Sequence, residues 1–374
     1  MALGHGVAFA AGPLGHAVAE QAASLPDQAF NHAVEQLLQP HPGVHLPSIS
    51  EVAQDLLAHR NPVDLGQLLP ALGRAAVAGV AGQVRWLGII LLLAVLGAVL
   101  ERLAEATEMD GVVGMARIAV TSSVIVVAVK AFGEALGLVE GLVTGLVHLM
   151  EALIPLVVVL MAGSGALASA GMFHPLMLAT VNVVAVLARR WVLPLILMAA
   201  VVEVLSEWLP RFSLRQLALL FRQAGLTLLG GLLTLFLGVM AVEGAAGSVA
   251  DGLTLRTGKF LMGTFVPVVG KMFSDAMEAI LGSSLLLKNA VSLVGALAVI
   301  VAVSLPVVQL FAVMFSYRVA AAASEPLGVE SITKSLTAMA NAIGWLIAVA
   351  GAVGLMFFLM IAVVAASARG VVGL

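Results

Sequence analysis

Lys271, Ser274, Asp275 and Glu278 recur at spacings of three and four, so a helix over 267–281 gathers them on one face. Met272, Phe273, Ala276 and Ile280 fall on the other face. Upstream, Arg256 and Lys259 are three apart and share a face too. Charges of both signs along a helical stripe suit a water-lined path or a protein partner. They do not suit a reaction. Gly270-Lys271 resembles the end of a phosphate-binding loop, but Phe265 stands where that motif needs its first glycine and Met272 where it needs Ser or Thr. Neither HExxH nor GxSxG occurs. The expectation is a non-enzyme with no cofactor and no metal.

His148 and Glu151 form a second constellation, three apart inside an apolar run. Ionisable groups within a span often mark an ion or substrate path, although a buried hydrogen bond locking two helices is the simpler role. A metal site would need further ligands, and His174 is the only histidine nearby in sequence.

The elements that must position these residues are hydrophobic. The chain is 61% hydrophobic and 10% charged, with a mean hydropathy of +1.11, against roughly 45–50% and about 25% for soluble chains. Several runs approach the ~20 apolar residues that cross a bilayer. A net charge of −3 gives no basic excess for nucleic acid, and the absence of cysteine excludes disulfides and thiol chemistry. The fold class is therefore all-α, a polytopic transmembrane bundle of about eight spans in the lipid bilayer. The spans fall near residues 82–100, 115–138, 141–162, 173–188, 191–209, 224–243, 290–316 and 341–367. Basic residues near their ends do not fix the orientation. Self-association is left open.

Residues 1–80 form a separate N-terminal, extracytoplasmic helical region, and 81–374 the membrane domain. Ser48 and Glu51 make a capping box for a short helix, and Asn61-Pro62 reads as the start of the next. AFAAG at 8–12 reads as the remnant of a signal peptide. The polar segment 251–289 interrupts the membrane domain between GLLTLFLGVMAV and AVSLVGALAVIVAVSLPVVQLF. Glycines and Pro267 break its pattern, and such elements persist at membrane depth only inside protein or along a water-filled cavity. It is either a re-entrant element lining a path or an amphipathic hairpin at the interface. Pro155, in ALIPLVVV, is the other expected helix break, echoing GTFVPVVG around Pro267. Paired breaks of this kind occur in transporter repeats, although so short an echo also arises by coincidence.

Three stretches, ALIPLVVVLMAGSGALASAGMFHPLM, DGLTLRTGKFLMGTFVPVVGKMFSDA and SLLLKNAVSLVG, resemble the stage III sporulation protein AE family of endospore-forming bacteria. The resemblance runs from about the first span to the C-terminus. It implies a protein of the mother-cell membrane around the forespore, working with the other stage III sporulation proteins in a secretion-like channel. It carries over no catalytic residues. Members usually begin with a signal peptide, from which this chain departs. Arg256, Lys259, Lys271, Asp275 and Glu278 are the expected pore- or partner-facing surface, shaped by breaks at Pro155 and Pro267. The alternatives are an autonomous transporter of a small solute and a non-conducting scaffold for ring-forming subunits.

Overall fold

The computed structural model describes residues 17–366, apart from short gaps at 19, 23–24, 26, 40–45, 59, 63–64, 108–109, 165–166, 209–213, 266–268 and 329. Within helices it leaves undescribed the side chains of 82–87, 100–114 and 243–280, and those of some shorter stretches and single positions elsewhere. The expected signal-peptide remnant at 8–12 lies outside the described residues.

The described elements are all helical. Two short helices come first, α1 (Gln28–Leu38) and α2 (Ile49–Leu57). Seven longer ones follow: α3 (Leu65–Thr107), α4 (Asp110–Gly163), α5 (Leu167–Leu187), α6 (Leu193–Trp208), α7 (Arg215–Phe265), α8 (Val269–Ser324) and α9 (Glu330–Ala366). A π-helical turn, Ala188–Val192, joins α5 to α6 without a loop. The expected capping box is present: Glu51 N–H donates to Ser48 Oγ at 3.3 Å, and Ser48 N–H donates to Glu51 Oε2 at 2.9 Å. The next helix starts at Leu65 rather than at Pro62. The fixed φ of proline serves an entering turn as well as a first helical residue.

Hydropathy and helicity divide the chain differently. Five helical stretches are long and apolar enough to cross a membrane: Ile118–Gly163, Ala170–Ser206, Arg215–Val242, Leu281–Ser324 and Glu330–Ala366. The expected spans at 115–138 and 141–162 are one continuous helix, α4. Gly133, Gly137, Glu140 and Gly141 lower the hydropathy between them, but all four sit on the exposed face. The inner face carries Val139, Leu142, Val143 and Leu146, all buried. A glycine in a helix costs about 1 kcal/mol, which packing on this scale outweighs.

The core forms where α8 runs antiparallel between α4 and α9, and α9 also packs on α6. Eighteen of the 37 residues of α9 are buried. The tight α8–α9 connection, Glu325–Leu327, closes at Gly328, whose φ of 81° favours glycine. Gly354 of α9 permits close approach: a Cβ there would lie 2.5 Å from Val303 Cγ2 of α8. Gly351, one turn earlier, faces open space. Gly354→Ala should therefore destabilise the purified protein by about 1–3 kcal/mol in thermal unfolding. Gly351→Ala should be neutral or slightly stabilising, and equal effects would refute this account of the α8–α9 contact.

Candidate functional site

Ser284, Lys288 and Ser292 repeat every fourth residue along α8, so they line up on one face over about 12 Å. This face is inside the protein. Lys288 and Ser284 are 0% exposed, and Ser283 and Ser292 are buried beside them. Lysine is almost never fully buried, and an ionisable group inside an apolar helix marks a functional site by default.

The stripe begins where the N-terminal region meets the bundle. Gln21 Nε2–H donates to Ser284 Oγ at 2.6 Å, and Ser283 Oγ–H donates to Gln21 Oε1 at 2.7 Å. One amide thus meets both hydroxyls, using its donor and its acceptor. Gly163, at the end of α4, makes room for this contact. A Cβ there would lie 2.6 Å from Ser284 Oγ and 3.2 Å from Gln21 Nε2. Ser164 follows, buried, with its Oγ–H donating to the Met161 carbonyl at 2.9 Å. Below this contact α1 packs on α4 and α2 on α8. Leu37 of α1 sits over Gly145, and Leu38 packs with Val301 and Leu305 of α8.

The arrangement is a polar seam inside an apolar bundle. It is not a nucleophile–base pair: Ser284 Oγ is engaged by Gln21, and Ser292 Oγ has no hydrogen-bond partner among the described residues. No group of three metal-ligating side chains occurs among the described residues either.

The residues singled out in the sequence fall elsewhere. His148 and Glu151 are exposed on the outer face of α4, so they are not a buried hydrogen bond locking two helices. Pro155 is exposed on the same face, and α4 continues through it to Gly163. It removes one backbone hydrogen bond without ending the helix. Arg256 and Lys259 fall on α7, and Lys271, Asp275 and Glu278 on α8, but their side chains lie outside the described residues. Pro267 also lies outside them; α7 ends at Phe265 and α8 begins at Val269. Lys288 was visible only as one charge of the polar segment. Its spacing of four from two serines was the available signal.

A helical bundle with several long apolar helices and a buried lysine seam fits a membrane protein. The sequence model of the family described as Stage III sporulation protein AE matches residues 48–368. The chain belongs to this family. It is 35% identical over 278 residues to the Stage III sporulation protein AE of Bacillus subtilis (strain 168), covering 74% of this chain and 70% of that protein. No solved structure matches.

The clamp at Gln21 predicts a measurable cost. Gln21→Ala removes both hydrogen bonds of this contact, and each lost bond costs about 0.5–1.5 kcal/mol. Limited proteolysis should then release the N-terminal segment faster than from the parent protein, and Gly163→Ala should do the same by crowding the contact. Unchanged cleavage in both variants would show that the clamp does not hold the segment.

Proposed function

We propose that this chain is an integral membrane component of a stage III channel or secretion-like complex linking mother cell and forespore. It acts there as a permease-like conduit or gating platform needed for forespore development. It lies in the mother-cell membrane around the forespore, works with other stage III sporulation proteins, and catalyses no reaction. Family membership supports the sporulation role. The observation that carries the conduit reading is the buried seam of Ser284, Lys288 and Ser292 inside a largely apolar bundle. A polar file along a central helix is what a path or a gate requires.

Lys288→Met preserves the length and apolar body of the side chain and removes only the charge. It should lower the yield of heat-resistant spores on the order of tenfold or more while the protein still accumulates in the membrane. Normal sporulation with Lys288→Met would end the conduit reading. In reconstituted vesicles the chain alone should pass no small solute, with flux appearing only when its partners are added. Flux through the chain alone would favour an autonomous transporter.

A further inference from the structure

Glu140 of α4 and Arg190 of the π-helical turn lie at one depth in the bundle. The connection from α4 to α5 is short and the two helices pack together, so they form an antiparallel hairpin. Glu140 is 23 residues before Gly163, the end of α4, and Arg190 is 23 residues after Leu167, the start of α5. Each is therefore about 35 Å from the hairpin's turn. By the same count Trp191 is level with Val139, between Gly137 and Gly141. Besides α5, α4 also touches the π-helical turn, so the outer faces of this hairpin adjoin.

These groups face outward. Gly137, Glu140, Gly141, Arg189 and Arg190 are exposed, and Trp191 is 56% exposed. Neither Glu140 nor the two arginines make an ion pair within the described structure. Yet they sit inside the long apolar stretches Ile118–Gly163 and Ala170–Ser206. Charges in such stretches pair with one another, or face protein or water rather than lipid. The shape is uneven too. A Cβ at Gly137 or Gly141 would meet nothing within 4 Å, so α4 carries a hollow at the depth where the Trp191 ring projects from the neighbouring helix.

We propose that this face joins two copies of the chain about a two-fold axis along the bilayer normal. The α4 helix of each copy lies against the π-helical turn of the other. Arg190 of each copy, with Arg189 beside it, meets the partner's Glu140, and Trp191 enters the hollow at the partner's Gly137 and Gly141. The two-fold axis makes every contact occur twice. Depth argues for a second copy as the occupant. Two copies in one membrane share an orientation, so residues of equal depth meet, and here acid and base, hollow and ring, are matched in depth on one face. Pairing α4 with α4 would instead set Glu140 against Glu140. Glycines allow close approach in lipid, and tryptophan and arginine are the side chains that most often anchor an interface. The proposal rests on the bundle lying in a bilayer, and not on the conduit reading.

The chain has no cysteine, so the test is disulfide cross-linking in native membranes. Two differently tagged full-length copies are co-expressed, one with Thr144→Cys and the other with Val186→Cys, positions that are level by the same count. The mixed pair should cross-link into a species of twice the chain mass, about fivefold more than either copy with itself. Glu140→Arg in both copies should cut this yield about fivefold. Adding Arg189→Glu and Arg190→Glu should restore it. Gly141→Leu fills the hollow and should also abolish the cross-link, whereas Gly238→Leu, at an equally open glycine of α7, should not. Thr144→Cys cross-linking chiefly to itself, a product with a different protein, or no product of twice the mass overturns the proposal. An undiminished yield with Glu140→Arg, or a loss that the compensating reversal does not restore, overturns it as well.

Discussion

Three helices meet at Gly295. A Cβ there would lie 2.6 Å from Leu153 Cδ1 of α4 and 3.4 Å from Ile361 Cδ1 of α9. In lipid, apolar side chains gain nothing by leaving the solvent, so helices associate through close packing and polar contacts. The absence of a side chain at this point lets α4 and α9 close on α8 together. The remaining helices pack around that trio: α3 on α4 and α8, α6 on α9, and α7 on α6.

Length is the second constraint. Ile118–Gly163 has 46 residues and Leu281–Ser324 has 44, so each is about 66–69 Å long at 1.5 Å per residue. A hydrocarbon core of ~30 Å, crossed at a steep tilt of about 40°, takes up roughly 26 residues of helix. In a bilayer the α4–α8 pair must therefore project well beyond the hydrocarbon layer. Packing of α1 and α2 on these helices covers part of their apolar surface, which explains amphipathic helices with Phe30, Ala33, Ile49 and Val52 buried.

Much of this was legible in the sequence, and the exceptions have physical causes. Composition and the length of the apolar runs give the helical class, and the Ser48 capping box gives the start of α2. Hydropathy divides α4 near Glu140 because it averages over both faces of a helix. The polar and glycine residues there are all on one face, and the other face stays apolar. The seam of Ser284, Lys288 and Ser292 was hidden for the converse reason. Its residues look like the end of an amphipathic segment, and only tertiary packing turns that face inward. The exposed His148 and Glu151 reverse the case: intramembrane spacing suggested burial, and packing leaves their face outside.

Polar contacts at the two ends of the α4–α8 pair then do what apolar packing does poorly, which is to fix register. Tyr317, the chain's only tyrosine, is buried on α8 and donates its hydroxyl to the Ala128 carbonyl of α4 at 2.7 Å. At the other end, Ser284 of α8 meets Gly163 of α4. Ala128 to Gly163 is 35 residues of α4, and Ser284 to Tyr317 is 33 of α8, so the two contacts bracket about 50 Å of matched helix. Leu, Val and Ala side chains in between would repack with modest loss after a slip of one turn. Such a slip would leave the tyrosine hydroxyl without its carbonyl and move Ser284 away from the one place where Gly163 admits Gln21. Each stranded group costs about 1–3 kcal/mol, enough to select a single register. The same Gln21 contact ties the N-terminal segment to the first turn of the lysine seam, so the position of that segment and the alignment of the seam are set together.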